Sequence, residues 1–359
     1  MKIRIVLYLV LMLAVGSIFG QNRTKRSVSK QSVKTAASKA TGTKAADTKA
    51  IGAWVNFNGG EDVKKLAVDS KNVYVAMRYT KRMVAIDKTT GALKAIEANH
   101  EISSVAVAAD KCYYYVDREG IFRYDAATGT SEGPLFGFTP EDWYGPLDLY
   151  ASQDGHYLIC GDYLIDVVEG HIISKPGGGA AVNDLGGVYR KSPEAYYTPL
   201  DGETYQVSRL GTAVRQFYID TMTGNVYYCM ADGLGVTPIV PNPQIGVKKV
   251  QTNFETEHNV ALFITRDDEG NFVVTTNFEG VGFGGKSIED PFRMEKKIAS
   301  GVKNQWGTEL FYTGGDDFIT PDGQGNLIFG SDGYACVFIY NPKGINGYAD
   351  LKGKAVRFE

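Results

Sequence analysis

Two short phrases recur along the chain, and their repetition constrains the fold more than any single residue does. One is an acidic or Gly-containing turn that leads into an apolar strand: Asp322-Gly-Gln-Gly-Asn-Leu-Ile-Phe329, Asp268-Glu-Gly-Asn-Phe-Val-Val274 and Asp220-Thr-Met-Thr-Gly-Asn-Val-Tyr-Tyr228. The other is an apolar strand that runs into a polar turn and ends on Gly: Val84-Ala-Ile-Asp-Lys-Thr-Thr-Gly91, Phe122-Arg-Tyr-Asp-Ala-Ala-Thr-Gly129 and Val337-Phe-Ile-Tyr-Asn-Pro-Lys-Gly344. From residue 62 onward nearly every short apolar stretch is bounded by Gly, Asp, Asn or Pro, which reads as strand and turn. No window carries the 3.6-residue period of an amphipathic helix. The 22 Tyr and 42 Gly suit this pattern, since aromatics fill strands and Gly supplies positive φ in turns.

The spacing gives the architecture. Asp-rich turns entering a strand fall near Asp69, Asp110, Asp154, Asp220, Asp268 and Asp322, at steps of 41, 44, 66, 48 and 54 residues. The 66-residue step holds four further strand-like runs, Ala180–Asp184, Val188–Arg190, Ala195–Thr198 and Thr204–Leu210. Seven units of about four strands result, which is the signature of an all-β β-propeller. Six blades are the alternative if residues 177–211 are an elaboration. One such sheet has two apolar faces and cannot bury both alone; radial stacking between two neighbours does so. The strand Ala53–Phe57 is expected beside the last unit, closing the ring.

The first fifty residues are different material. Lys2 and Arg4, the apolar run Ile5–Val15 and the small residues Ala14, Gly16, Ser17 and Gly20 read as a signal peptide over residues 1–20. The run is too short to span a bilayer comfortably, and no later segment is long and apolar enough. Residues 21–50 carry eight Lys or Arg and one acid, Asp47, with almost no large apolar residue. Such a segment cannot offset its ordering entropy, so it is expected to be a disordered basic linker ahead of a propeller domain over 51–359. An exported protein, periplasmic or extracellular, follows from the leader.

The charge is uneven. The whole chain carries −3, the leader contributes +2 and the linker +7, which leaves −12 for residues 51–359. An acidic body argues against nucleic acid as its partner. The linker could touch anionic surfaces, but a soluble spacer is the simpler reading and the one preferred. Four cysteines, Cys112, Cys160, Cys229 and Cys336, lack metal-ligand spacing and are expected to be buried free thiols, with an inter-repeat bridge as the alternative.

The turns Gly325-Asn326-Leu327, Gly270-Asn271-Phe272 and Gly224-Asn225-Val226 resemble those of NHL and SMP-30/gluconolactonase-like propellers. Phe122-Arg-Tyr-Asp-Ala-Ala-Thr-Gly129 equally resembles YncE-like and quinoprotein-type propellers. The resemblance covers residues ~60–345 and is carried by motifs generic to the superfold, which specify turns and no reaction. It implies strands a to d running outward in each blade, with a–b turns on one face and b–c and d–a loops on the other. Ligand sites in such folds use the second face and the channel mouth.

Sorted this way, the second face offers Arg78 and Arg82, the loop residues Trp143 and Tyr144, Glu257 and His258, Trp306, and Phe283 in an insertion from Asn277 to Arg293. Exposed aromatics there could stack on sugars or fill a partner's pocket. Asp117, Asp162, Asp232 and Asp332 occupy equivalent b–c positions in four units. A ring of carboxylates could hold Ca²⁺, which takes six to eight oxygen ligands; Asp-Gly is also a favoured hairpin turn for backbone reasons alone. No nucleophile elbow, HExxH or P-loop is present, and no cofactor is predicted. The Asn-Gly pairs, Asn58-Gly59 and Asn346-Gly347, lie away from where a lactonase's ligand Asn is expected. His100-Glu101 or Glu257-His258 could supply the His/Glu pair of a streptogramin-lyase-like site. Three functions stay open: a non-catalytic propeller binding a protein, glycan or small ligand; a metal-dependent lactonase- or lyase-type enzyme; and a structural subunit of an envelope assembly.

Overall fold

The computed structural model describes residues 50–57, 62–137, 147–191, 194–208, 213–256, 259–295, 298, 318–331 and 335–358. The leader, the basic linker, Asn58-Gly59, Trp143, Tyr144, Glu257, His258, Trp306 and Asp332 lie outside them.

The described chain is all β, and its strands fall into seven sheets. The first strand, β1 (Gly52–Asn56), belongs to the last sheet. Blade 1 is β2 (Val63–Val68), β3 (Asn72–Met77), β4 (Arg82–Asp87) and β5 (Leu93–Glu97). Blade 2 is β6 (Ile102–Ala108), β7 (Lys111–Val116), β8 (Gly120–Asp125) and β9 (Thr130–Glu132). Blade 3 is β10 (Leu149–Ala151), β11 (Tyr157–Cys160), β12 (Tyr163–Asp166) and β13 (His171–Ser174). Blade 4 is β14 (Ala181–Val182), β15 (Val188–Arg190), β16 (Ala195–Thr198) and β17 (Tyr205–Ser208). Blade 5 is β18 (Val214–Asp220), β19 (Asn225–Met230), β20 (Gly233–Pro238) and β21 (Lys248–Val250). Blade 6 is β22 (Ala261–Arg266), β23 (Phe272–Thr276), β24 (Val281–Phe283) and β25 (Arg293–Glu295). Blade 7 is β26 (Phe318–Pro321), β27 (Leu327–Ser331) and β28 (Cys336–Tyr340), completed by β1 and then by β29 (Ala355–Arg357). Strands β14 to β17, within residues 181–208, thus build a full blade, which decides seven over six.

Within each blade neighbouring strands run antiparallel, β29 beside β1 in blade 7 excepted, and odd and even residues of the second strand face opposite neighbours. Val73, Val75 and Met77 of β3 pack toward blade 7, whereas Tyr74 and Ala76 pack toward blade 2. In β28, Val337 and Ile339 meet blade 1, and Cys336, Phe338 and Tyr340 meet blade 6. Seven apolar clusters result, one at each blade–blade interface. This is why second-strand sequences read as continuous apolar runs: a strand buried on both faces has no polar side to alternate. All four cysteines are free and buried.

The ring closes as expected and then further. β1 pairs antiparallel with β28, from Gly52 opposite Tyr340 to Asn56 opposite Cys336. Strand β29 adds a parallel partner on β1, with Trp54 opposite Ala355, which the sequence did not reveal. Buried Lys88 donates to the carbonyls of Asp69 (2.7 Å) in blade 1 and Asp322 (2.6 Å) in blade 7. Tyr348 donates to Asp322 Oδ2 (2.9 Å). Gly347 has φ of +68°, and a Cβ there would lie 2.0 Å from the Lys88 carbonyl oxygen, so only glycine fits. The Asn346-Gly347 pair is part of this clasp: Asn326 accepts from Asn346 N–H and donates to its carbonyl.

Candidate binding site at the channel mouth

The first strand of each blade lines the central channel. Each runs from the face of the b–c and d–a loops to the face of the a–b turns. The Asp-led phrases lie on the a–b face and link blades there. Ser70 of blade 1 donates from N–H (2.7 Å) and Oγ (2.6 Å) to Asp110 of blade 2. Gly323 N–H (3.1 Å) donates to Asp268, joining blades 7 and 6. The turn-ending glycines Gly91, Gly129 and Gly344 all have positive φ and share this face. Gln153 reaches over the channel from blade 3 to blade 5, donating to the Ile219 carbonyl (2.6 Å) and accepting from Thr221 (2.6 Å).

At the other face the channel widens into a cavity of about 530 Å³. Its walls include five cationic side chains, Lys64, Lys65, Arg78, Lys191 and Arg215, and one carboxylate, Asp148. Its apolar wall includes Leu66, Phe217, Phe263, Ile264, Phe318 and Ile319. A local backbone device brings two cations there. The register of the inner strand shifts between Val63 and Lys65, Ile102 and Ser104, Val214 and Gln216, and Ala261 and Phe263. Such a bulge adds one residue to the inner strand and re-aims its side chain. In blades 1 and 5 the extra residues are Lys64 and Arg215. Consecutive residues, Lys64 with Lys65 and Arg215 with Gln216, can then both line the channel, which strict alternation forbids.

The polar groups hold one another across the opening. Lys64 Nζ lies 3.6 Å from Asp148 Oδ1. Lys65 donates to the Leu149 carbonyl and sits over the Tyr150 ring, 3.4 Å from its centroid. Loss of solvation lowers the Lys65 ammonium to a pKa of about 8; Asp148 opposes this, and Lys64 and Lys191 add to it. Lys191 donates to the Arg215 carbonyl (3.4 Å). Gln216 accepts from Ile264 N–H (2.8 Å), tying blades 5 and 6 beside the cavity.

The structure separates the residues singled out in the sequence. Arg78 lines the cavity, but Arg82 lies over the Phe358 ring, 5.2 Å from its centroid, next to the ring closure. Phe283 was placed on the second face with the whole Asn277–Arg293 segment. It stands instead at the far end of β24, in contact with Tyr340 and under Arg293. The segment contains a b–c turn, a strand and a c–d loop, so it crosses the blade from one face to the other. Asp117, Asp162 and Asp232 sit on three separate blades. Asp117 Oδ1 is buried with no hydrogen-bond partner among the described residues, Asp162 accepts from Gly178 N–H, and Asp232 is paired with Lys249. Among the described residues no three His, Cys, Asp or Glu side chains gather as metal ligands. His100 is hydrogen-bonded to Glu119 (2.6 Å), and Glu101 accepts from Tyr79 N–H (3.0 Å), so these neighbours point to different partners.

Three features of this face were missed as site residues. Tyr79 is 79% exposed with φ of +58°, an uncommon conformation for a bulky residue. Phe278 is 64% exposed on the b–c turn of blade 6. Glu255, in the loop between blades 5 and 6, is pushed up to about 7 by burial, which the nearby Leu234 N–H and Lys249 ammonium oppose only in part.

This geometry defines the class: a seven-bladed β-propeller with a cationic cavity at one mouth of its channel. No protein-family model matches the chain, and no curated protein matches it. Among solved structures it is similar to the extracellular domain described as that of the hybrid two component system BT4673 from B. thetaiotaomicron, at 14% identity and a TM-score of 0.57. The corresponding domain of BT3049 from the same organism matches at 15% and 0.55. In both cases 80% of this chain is covered, which spans about two-fifths of the other, 39% and 41%. The WD40 β-propeller domain of Doa1 matches at 12% identity and a TM-score of 0.56, over 82% of this chain and 96% of that one. At these identities the likeness is one of fold.

Proposed function

We propose that this chain is an exported, non-catalytic β-propeller that binds a small ligand at the channel mouth on its b–c/d–a face. The observation that carries this reading is the cavity itself. Its volume of about 530 Å³ falls within the ~300–1,000 Å³ typical of small-molecule sites, and it joins an apolar wall to convergent polar groups. Exposed Tyr79 and Phe278 on the same face suit a binding surface. The extracellular character of the two bacterial domains of like fold is compatible with export. The NHL-like and YncE-like resemblance rests on the Gly-Asn and Thr-Gly turns, whose side chains and amides here make mostly local hydrogen bonds, Asn271 to Asp267, Asn326 to Asp322 and Ala127 N–H to Asp125.

The test is a thermal-shift screen of the exported protein against sugars, sugar acids, amino acids and short peptides. Hits are then mapped by hydrogen exchange. A ligand should protect the starts of β2 and β18 and be recovered unchanged after prolonged incubation. Protection confined to the a–b face, or conversion of the ligand, would refute the reading. An enzymatic alternative draws on Lys65, because a lysine with a pKa of about 8 in a cavity is suited to general-base chemistry. Recovery of altered ligand decides for it.

A further inference from the structure

We infer that the ligand of this mouth is a small organic anion: a carboxylate, phosphate or sulfate carried on a ring or other apolar-faced body. This rests on the binding reading above and names its substrate class.

The first argument is charge. Residues 51–359 carry −12, yet five cations and one acid line this cavity. Asp148 answers Lys64 at 3.6 Å, so the wall keeps a clear excess of positive charge. Concentrating like charges in a concave, partly dehydrated space costs free energy unless a counter-charge enters, and such a cleft focuses its field on anions. Burial is the largest cause that lowers the Lys65 ammonium, and Lys64 and Lys191 lower it further, in line with that cost.

The second argument is how the cations are placed. The inner-strand bulge recurs in blades 1, 2, 5 and 6. In blade 2 its extra residue, Ser103, is spent on the Leu147 carbonyl (3.2 Å), and in blade 6 it is the buried Leu262. Only in blades 1 and 5 does it deliver a cation, and both of these cations line the cavity. Two such cations, from blades that are not neighbours, converge on one space.

The third argument is size and lining. A bare phosphate or sulfate would leave most of about 530 Å³ unfilled. Part-exposed Phe263 and Phe318 line the same space and offer apolar surface to a ring or hydrocarbon face.

The experiment is calorimetric titration of the full exported chain with glucuronate, glucose 6-phosphate, glucose 6-sulfate and benzoate, with neutral glucose and inorganic phosphate alongside. At least one organic anion is expected to bind ten-fold or more tightly than glucose and than inorganic phosphate, and to weaken as salt rises. Which of the four binds identifies the head group. Lys64→Gln and Arg215→Gln should each weaken it about ten-fold, while Lys249→Gln, outside the cavity, leaves it unchanged. Circular dichroism and melting temperature confirm that each variant is folded. Glucose binding as tightly as its charged counterparts at this mouth overturns the anion inference and leaves the binding reading intact. Inorganic phosphate binding as tightly as the organic anions overturns the organic body. If no probe binds the wild type more tightly than the Lys64→Gln/Arg215→Gln double variant, the inference is also overturned. Silence of the broader screen at this face removes the binding reading as well.

Discussion

Arg266 and Asp220 form a bidentate pair between blades 6 and 5: Nε donates to Oδ1 at 3.0 Å and Nη2 to Oδ2 at 2.7 Å. Both side chains are buried. The guanidinium lies over the Phe272 ring, 3.7 Å from its centroid, and its third nitrogen donates to the carbonyls of Gly270 and Lys286. A charge buried this deeply is tolerable because every side of it is answered. The pair also fixes the a–b turn of blade 5, whose Asp220 accepts from Thr223 (2.6 Å).

Breaking this pair should therefore cost much more than an exposed salt bridge would. Asp220→Ala leaves a buried guanidinium without its partner, and a loss of about 3–5 kcal/mol is expected. Arg266→Lys should not restore stability, since an ammonium cannot reproduce the planar two-nitrogen fork. Urea unfolding of the two variants checks both statements; a loss below ~1 kcal/mol for Asp220→Ala would sink the assignment.

Lys88 joins the first and last blades through two backbone carbonyls. Lys88→Ala should destabilise by about 2–4 kcal/mol, because one buried and one part-buried acceptor lose their donor. The loss should appear first at ring closure. Hydrogen exchange is expected to show β1 and β29 opening before the strands of blades 2 and 3.

Glu255 gives a pH dependence with a definite sign. Its folded pKa of about 7 lies above its ordinary 4.5, so the native state holds the proton more tightly than the unfolded chain does. The resulting stability is fully present below about 4.5 and is lost as pH rises to about 7. Glu255→Gln should remove this part of the profile. Melting curves of both proteins from pH 4.5 to 7.5 should diverge as pH rises, with the wild type falling relative to the variant.

Lys65 works in the opposite sense. Its folded pKa of about 8 lies below the ordinary 10.5, so the unfolded chain binds more protons between these values, and stability should rise with pH there. Anion binding at the mouth should weaken over the same range, because Lys65 loses its charge. The groups acting on it are Lys64, Lys191, Asp148 and Cys160, with the Tyr150 ring beneath it. Burial pushes the Tyr150 and Cys160 groups up, so both stay neutral in this window. Titrations at pH 7 and 9 should show weaker binding at pH 9 in the wild type and little change in Lys65→Gln.

The thiols provide a check on closure. Burial pushes Cys112, Cys160 and Cys229 well up from the usual thiol range, which suppresses the reactive thiolate. Ellman's reagent should detect almost no thiol in the native protein and four after denaturation. Rapid labelling of the native protein would contradict the burial.

The sequence by itself determined the scaffold. Blades 1 to 6 are each built from near neighbours in the chain, so the alternation of turn and strand and the seven units were legible, and the strand left over at Ala53–Phe57 pointed to the closure of blade 7. The turn phrases were legible as structural because Asp and Gly there satisfy local backbone needs. Only the tertiary structure decided the site. Lys64, Asp148, Lys191 and Arg215 come from four blades spread over about 150 residues, and no local pattern marks them as neighbours. A one-residue bulge leaves no signal in composition, yet it aims Lys64 and Arg215 into the channel. Phe283 fell to the other face for a related reason: its segment reads as one insertion, but hydrogen bonding to β23 makes its centre a strand. Local hydrogen bonding writes the blades into the sequence, whereas the site arises from closure of the ring, a long-range event that brings together residues with no sequence relation to one another.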